Sequence, residues 1–217
     1  MSGRVLVSAD GVTLIGGGEV SQADLTEARA RAPRLVAADG GADQALRFGE
    51  MPDAVIGDFD SISPEARAAI PKGRLHHIAE QNSTDFEKCL SRIKAPFVLA
   101  LGFLGGRIDH ELAVLSRISQ DPARIILIGA EDIIFRAPAH FAIDLPIGSR
   151  FSLFPMGPSS GHSHGLRWPI ARIGFAPNGR IGTSNEVSGP VELEITGPML
   201  IILPRAALDA ALTALQH

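Results

Sequence analysis

Between residues 12 and 129, short aliphatic runs alternate with stretches of helical periodicity, and most runs end on glycine, aspartate or both. That alternation narrows the fold more than any other feature, because strand, helix and strand in series can bury their apolar faces together only as an α/β sheet built from parallel pairs. The runs span 12–16, 34–38, 53–57, 75–79, 97–102 and 124–129. Helix starts fall between them. Ser21 with Asp24 three residues on predicts a helix to about Arg31, and a short one follows from Ala42 to Phe48. Ser63-Pro64-Glu65 is a helix start in which proline gives up an N–H that would have no partner there. Ser83 or Thr84 caps a further helix to about Ile93, and residues 108–119 read as another.

Near Ala137 the pattern changes. Prolines recur at 138, 146, 155, 158, 169, 177, 190 and 198, and the pieces between them are too short for helices. Residues 150–154, 191–195 and 199–203 read as strands, with 191–195 alternating between apolar and acidic positions as a half-exposed antiparallel strand does. Leu208, Leu212 and Leu215 form one stripe of a terminal helix, and the Gly/Ser-rich segment 157–164 reads as a mobile loop. The expected architecture is therefore a parallel-sheet α/β domain over residues 1–137, followed by a small all-β sandwich over 138–217.

Composition excludes several classes. With 45% apolar and 20% charged residues the chain can bury a core, so it is not disordered. A net charge of -4 provides no broad basic field, which argues against sequence-independent nucleic-acid binding. No run approaches the roughly 20 apolar residues of a membrane span, and the N-terminal residues lack the apolar core of a secretion signal. One cysteine, Cys89, makes no internal disulfide and fits a reducing compartment. The expectation is a soluble cytoplasmic protein.

Chemistry concentrates at the ends of the predicted parallel strands. Asp39, Asp58, Asp60, Asp85 and Asp109 all lie just beyond a run, where open α/β sheets bind ligands. A single such acid can be a helix cap, but five converging like charges call for a cation, and carboxylate oxygens suit the hard ion Mg²⁺. Gly40-Gly41, Gly57 and Gly102-Phe-Leu-Gly105-Gly106 accompany them and suit phosphate. Arg107 adds a planar donor fork. Together these describe phosphoryl or pyrophosphoryl transfer without a covalent nucleophile.

The motifs Ala38-Asp39-Gly40-Gly41-Ala42, Gly57-Asp58-Phe59-Asp60-Ser61, Thr84-Asp85 with Lys88, Gly105-Gly106-Arg107-Ile108-Asp109-His110, Gly165-Leu166-Arg167-Trp168-Pro169 and Ser184-Asn185-Glu186 stand in one order. In that order the chain resembles the thiamine pyrophosphokinases from about Leu14 to Leu203. The resemblance implies an α/β nucleotide-binding domain followed by a β-sandwich, a homodimer, and transfer of the ATP β,γ-pyrophosphoryl group to the thiamine hydroxyl with release of AMP. It implies Asp58, Asp60 and Asp85 as Mg²⁺–ATP residues, Asp39 beside the phosphates, Gln81 and Arg107 on substrate or phosphate, and Asp109 near the thiamine end. It also implies that Trp168, Ser184 and Asn185 form the thiamine pocket. Physics supports Trp168 separately, since thiazolium is a cation and this is the single indole of a chain without tyrosine. Asn82 stands where many members carry an acid, and Val114 where the family often has asparagine.

Other candidates read as structural. His162 and His164 lack a third metal ligand in their loop and read as solvated. One of His76 and His77 is expected in the core, and Cys89 reads as a buried thiol. Two competing functions remain: a haloacid dehalogenase-type phosphatase using the Asp58-x-Asp60 spacing, and a non-enzymatic nucleotide- or thiamine-sensing module.

Overall fold

The structure, a computed structural model, describes residues 3–121 and 124–216. The chain forms two compact units, one comprising the residues up to Val114 together with Ile125–Ile128, the other Leu115–Arg124 and the chain from Gly129 onward.

In the first unit the elements run β1 (Leu6–Val7), β2 (Val12–Ile15), α1 (Gln22–Arg31), β3 (Arg34–Ala38), α2 (Gly41–Arg47), β4 (Ala54–Gly57), α3 (Pro64–Ala69), β5 (Leu75–His77), α4 (Asp85–Leu90), β6 (Ile93–Lys94) and β7 (Val98–Leu101). Helix α5 (Ile108–Gln120) follows, its residues to Val114 in this unit and those from Leu115 in the other, then β8 (Ile125–Ile128). Strand β7 pairs in parallel with both β2 and β8, and β4 pairs in parallel with both β3 and β5. Every residue of β2, β4, β7 and β8 is buried, as expected of strands covered on both faces.

The helix starts follow the sequence signals. Ser21 and Asp24 form a reciprocal capping box on α1, as Thr84 and Glu87 do on α4, and the Ser63 hydroxyl accepts from the Ala66 amide ahead of Pro64. Each such cap contributes about 1 kcal/mol and fixes where the preceding loop must end. Helix α4 stops at Leu90, short of the expected Ile93, because Ile93–Lys94 leaves the helix to pair with β1. Neither His76 nor His77 enters the core: the first is half-buried and the second exposed. Cys89 is fully buried, and burial pushes its thiol up.

The second unit holds β9 (Asp132–Arg136), β10 (His140–Ile143), β11 (Arg150–Pro155), β12 (Ser160–Leu166), β13 (Gly182–Thr196), β14 (Met199–Pro204) and α6 (Leu208–Gln216). Their ladders are antiparallel. The first part of β13 pairs with β11, and the rest lies between β10 and β12; β14 joins β11 to β9. The exposed-buried alternation of β10 leaves one face of this ladder open to solvent.

The segment expected as a mobile loop is largely β12. Gly161 explains the difference: a Cβ there would stand 2.2 Å from the Glu194 carbonyl oxygen, so a residue that reads as a loop former is what lets β12 lie against β13. Ser163 points inward and its hydroxyl accepts from the Ile170 amide at 3.1 Å.

Taken together the chain is mixed α/β, with parallel and antiparallel pairs in multi-stranded sheets. No helix among the described residues is long and apolar enough to cross a membrane.

Candidate active site

Strands β3 and β4 lie side by side and in parallel, so the residues that follow them emerge at one edge. Asp39 follows β3. Its backbone adopts φ 42, a left-handed conformation that aspartate tolerates better than most side chains. The closeness of the two strands here depends on Gly57, where a Cβ would come within 2.8 Å of the Asp39 Cβ. Asp39 is 2% exposed; its Oδ2 accepts from the Ser61 amide at 3.1 Å, while its buried Oδ1 has no hydrogen-bond partner. Burial pushes this carboxyl up to about 6; the Ser61 amide opposes that, and the neighbouring Asp60 and Asp85 add to it.

Asp58 and Asp60 follow β4 on a tight turn in which Phe59 takes φ 65. That conformation costs on the order of 1 kcal/mol for a bulky residue. The Phe59 ring is held by His77, 5.4 Å between centroids, and by the Arg67 guanidinium at 5.3 Å. The turn sends both carboxylates toward Asp39. Oxygens of Asp39, Asp58 and Asp60 lie within 4.8 Å of one another, the one such group of potential metal ligands among the described residues.

Lys88, 1% exposed on α4, organises the rest. Its Nζ donates to Asp58 Oδ2 at 2.9 Å and to Asp85 Oδ1 at 3.0 Å. Burial works to lower the lysine, but the two carboxylates outweigh it and hold the ammonium charged. In return the Lys88 ammonium holds Asp58 below the usual carboxylate range, helped by Gln81, whose Nε2 donates at 3.1 Å. Asp85 lies outside the converging trio and is tied to it through this lysine. Thus Asp39, Asp58, Gln81 and Asp85 come together, and Lys88 is the residue whose role sequence reasoning missed. Its signal was available: it stands three residues after Asp85, one helical turn along the same face.

These groups line a cavity of about 540 Å³ with the Gly16-Gly17-Gly18 turn, Gly102, Phe103 and Arg107. Phe103 packs edge-on against Phe86 of α4 at 4.7 Å, giving the cavity an aromatic wall. Arg107 is exposed and forms a two-point ion pair with Asp109 at 2.6 and 3.1 Å, which holds the Asp109 carboxyl below its ordinary value. Of this pair, Arg107 lines the cavity and Asp109 does not. His110 and Val114 also line it.

Trp168, Ser184 and Asn185 belong to the second unit. Trp168 is 53% exposed, which excludes a packed core role. Asn185 ties its backbone at both ends: Asn185 Oδ1 accepts from the Trp168 amide at 3.2 Å, and Asn185 Nδ2 donates to the Trp168 carbonyl at 2.8 Å. The Arg167 guanidinium lies 4.9 Å over the indole, so this ring already meets a cation. Ser184 adopts φ 61, and its amide donates to the Ser152 hydroxyl at 3.0 Å.

The carboxylate trio fits a hard divalent cation: its donors are all oxygens, and one buried oxygen lacks any partner. The glycine turns beside it leave room for phosphate to approach backbone amides.

Comparison with known proteins agrees. Residues 25–127 match the family model described as thiamin pyrophosphokinase, catalytic domain. The rice (Oryza sativa subsp. japonica) protein named thiamine pyrophosphokinase 1 is 33% identical over 194 residues, covering 72% of this chain and 73% of its own. A Caenorhabditis elegans protein named thiamin pyrophosphokinase 1 is 25% identical, covering 73% of each. Among solved structures, thiamin pyrophosphokinase from Candida albicans superposes with a TM-score of 0.74 at 19% identity, covering 94% of each chain, which shows a shared fold.

Proposed function

The chain belongs to the thiamine pyrophosphokinase family, and on that footing we propose how its residues divide the work of a thiamine diphosphokinase. The reaction moves the β,γ-pyrophosphoryl group of ATP to the thiamine hydroxyl: the hydroxyl oxygen bonds to the β-phosphorus, the bond from that phosphorus to the α,β-bridging oxygen breaks, and AMP leaves. Such transfers need positioning and charge stabilisation more than covalent help from the protein. A parallel-sheet domain over residues 1–137 would hold ATP, and a β-sandwich domain over 138–217 would supply the thiamine pocket.

The observation that carries this reading is the trio Asp39, Asp58 and Asp60, with the partnerless Asp39 Oδ1 among its oxygens. These three would hold Mg²⁺, with Asp85 kept within reach by Lys88. When bound, the ion neutralises phosphate charge and orients the pyrophosphoryl group. Gln81 steadies Asp58 and is exposed enough to meet a phosphate oxygen. Arg107, once it exchanges Asp109 for phosphate, offers two parallel N–H donors. Asp109 would then be free to face the thiamine hydroxyl. Trp168, Ser184 and Asn185 would hold thiamine, the indole facing the thiazolium cation.

A homodimer is part of the proposal. Ile108 and Leu112 on α5 are 73% and 57% exposed and lie one turn apart beside Arg107 and Asp109, an apolar pair that a second copy would cover. A cytoplasmic location, where ATP and Mg²⁺ are at hand, completes it.

The test is product identity. Purified protein given ATP, thiamine and Mg²⁺ should form AMP and thiamine diphosphate in equal amounts, stop when EDTA is added, and resume when Mg²⁺ is restored. Inorganic phosphate as the product would mark a phosphatase, and binding without turnover a sensing module.

A further inference from the structure

On the second unit, remote in sequence from the aspartate trio, the antiparallel ladder assembles a second set of metal-binding side chains. Register places Glu194 of β13 directly opposite His140 of β10 on one side and His162 of β12 on the other. In the next row of the same face, Glu192 stands opposite His164. Sequence alone offers only the His162/His164 pair; the third imidazole and both carboxylates arrive through strand pairing. His140, His162 and Glu194 together line two concavities of about 740 and 560 Å³.

We propose that His140, Glu194 and His162, with His164 and Glu192 beside them, form a binding site for a divalent transition-metal ion of the Zn²⁺ class. The argument is one of donor chemistry and spacing. Directly opposed residues on a ladder have Cβ atoms about 5 Å apart, so a central glutamate flanked by two histidines puts three donors within reach of one ion. Residues two apart on a strand share a face, which makes His164 a ready fourth ligand. Imidazole nitrogen with carboxylate oxygen suits Zn²⁺, whereas Mg²⁺ prefers oxygen alone, so this set differs in kind from the aspartate trio.

The five side chains are exposed, and none takes part in a hydrogen bond or ion pair among the described residues. Their donor atoms do not yet converge to within 4.8 Å; convergence requires χ1 rotation, which exposed side chains undergo freely. An ion held this way clamps β10, β13 and β12 together, so it stabilises the fold without entering the pyrophosphoryl-transfer reaction.

The test uses the full chain, stripped with EDTA and exchanged into a non-chelating buffer, titrated with Zn²⁺ by calorimetry and melted with and without it. One Zn²⁺ per chain is expected, with a raised Tm and with no displacement by millimolar Mg²⁺. His140→Ala with His162→Ala should weaken binding by more than about tenfold and abolish the Tm rise. Glu194→Gln should weaken it less, and Asp58→Asn should leave it unchanged. Far-UV circular dichroism checks that the variants fold, and the AMP-forming activity in Mg²⁺ of the His140/His162 double variant and of Glu194→Gln should match the parent chain. Absence of Zn²⁺ binding, binding undiminished in the double variant, or binding lost with Asp58→Asn or to excess Mg²⁺ would each overturn the proposal. The last of these results would put the ion at the aspartate trio instead, whose role as the Mg²⁺ site EDTA and product identity test separately.

Discussion

Asp58 and Trp168 both sit just past a strand, yet their surroundings differ in kind. Around Asp58 the side chains themselves are fixed: Lys88 and Gln81 hold one carboxylate oxygen, and Asp39 is buried against the turn that carries it. Around Trp168 the backbone is fixed by Asn185, while the ring stays half open beneath the Arg167 guanidinium. The first arrangement suits charge stabilisation, where donors must be in place before the reaction begins. The second suits recognition of a substrate that brings its own apolar surface. If that contrast is right, perturbing the first region should alter catalysis and electrostatics, and perturbing the second should alter affinity for one substrate.

The largest expected effect is that of Asp58→Asn. It removes a charge from the trio but keeps size and hydrogen-bonding shape, so turnover should fall about 1000-fold, or about 4 kcal/mol, while the Tm moves little. AMP release measured at saturating Mg²⁺ checks it, and near-parental rates would remove the metal role from this aspartate.

Asp39 gives a pH signature. Its carboxyl is raised to about 6 by burial, so the metal-free folded state binds a proton more tightly than the unfolded chain does. Stability from this group is therefore present at about pH 4 and lost as the pH rises through 6. In EDTA, Asp39→Asn should match the parent near pH 4 and exceed it above pH 7 by on the order of 2–3 kcal/mol. Asp58 acts in the opposite sense, since Lys88 holds it low and its contribution fades only in more acid solution. Urea melts of the two chains at pH 4 and 7 measure the difference, and a constant gap at both would contradict it.

Lys88→Met comes next. It leaves Asp58 and Asp85 without their shared cation; because both carboxylates are partly solvated, the cost should be about 2 kcal/mol, below that of a fully buried pair. In EDTA the Tm should drop by about 5 °C, and Mg²⁺ should restore more of it than it adds to the parent chain. A variant indifferent to Mg²⁺ would separate the lysine from the metal site.

How much of each region could be read from the sequence follows the same contrast. The parallel strands and their acids were legible because a buried strand must be an apolar run and a βα turn must follow it; Asp39, Asp58 and Asp85 were located by that rule alone. Their bonding was not. No spacing rule says that Asp39 rather than Asp85 closes the trio, because that depends on Gly57 letting two turns touch. In the second unit the rules themselves weaken. Residues 157–164 carry loop composition, and only the close approach permitted by Gly161 turns most of them into β12. The partners of His162 across the ladder lie about thirty residues away in sequence and become visible only through register.

The smallest effect belongs to Trp168. A desolvated cation–π contact is worth about 2 kcal/mol and an exposed one 0.5–1, and this ring is half exposed, so Trp168→Ala should raise the thiamine KM about fivefold to tenfold. The ATP KM and kcat should change little, because the ring is assigned to thiamine and has no part in holding ATP. Arg167 sharpens the test. Its guanidinium stacks on the indole and pairs with Glu186 at 3.2 Å, so a thiazolium must take the other face or displace it. If displacement is required, Arg167→Ala lowers the thiamine KM; if the free face serves, that variant leaves it unchanged. Since Trp168 is the single indole, its fluorescence reports occupancy directly, and thiamine should quench it in the parent and in Arg167→Ala alike. Equal losses of affinity for ATP and thiamine in Trp168→Ala would instead mean that the indole supports the fold, and the contrast between the two regions would fail at that point.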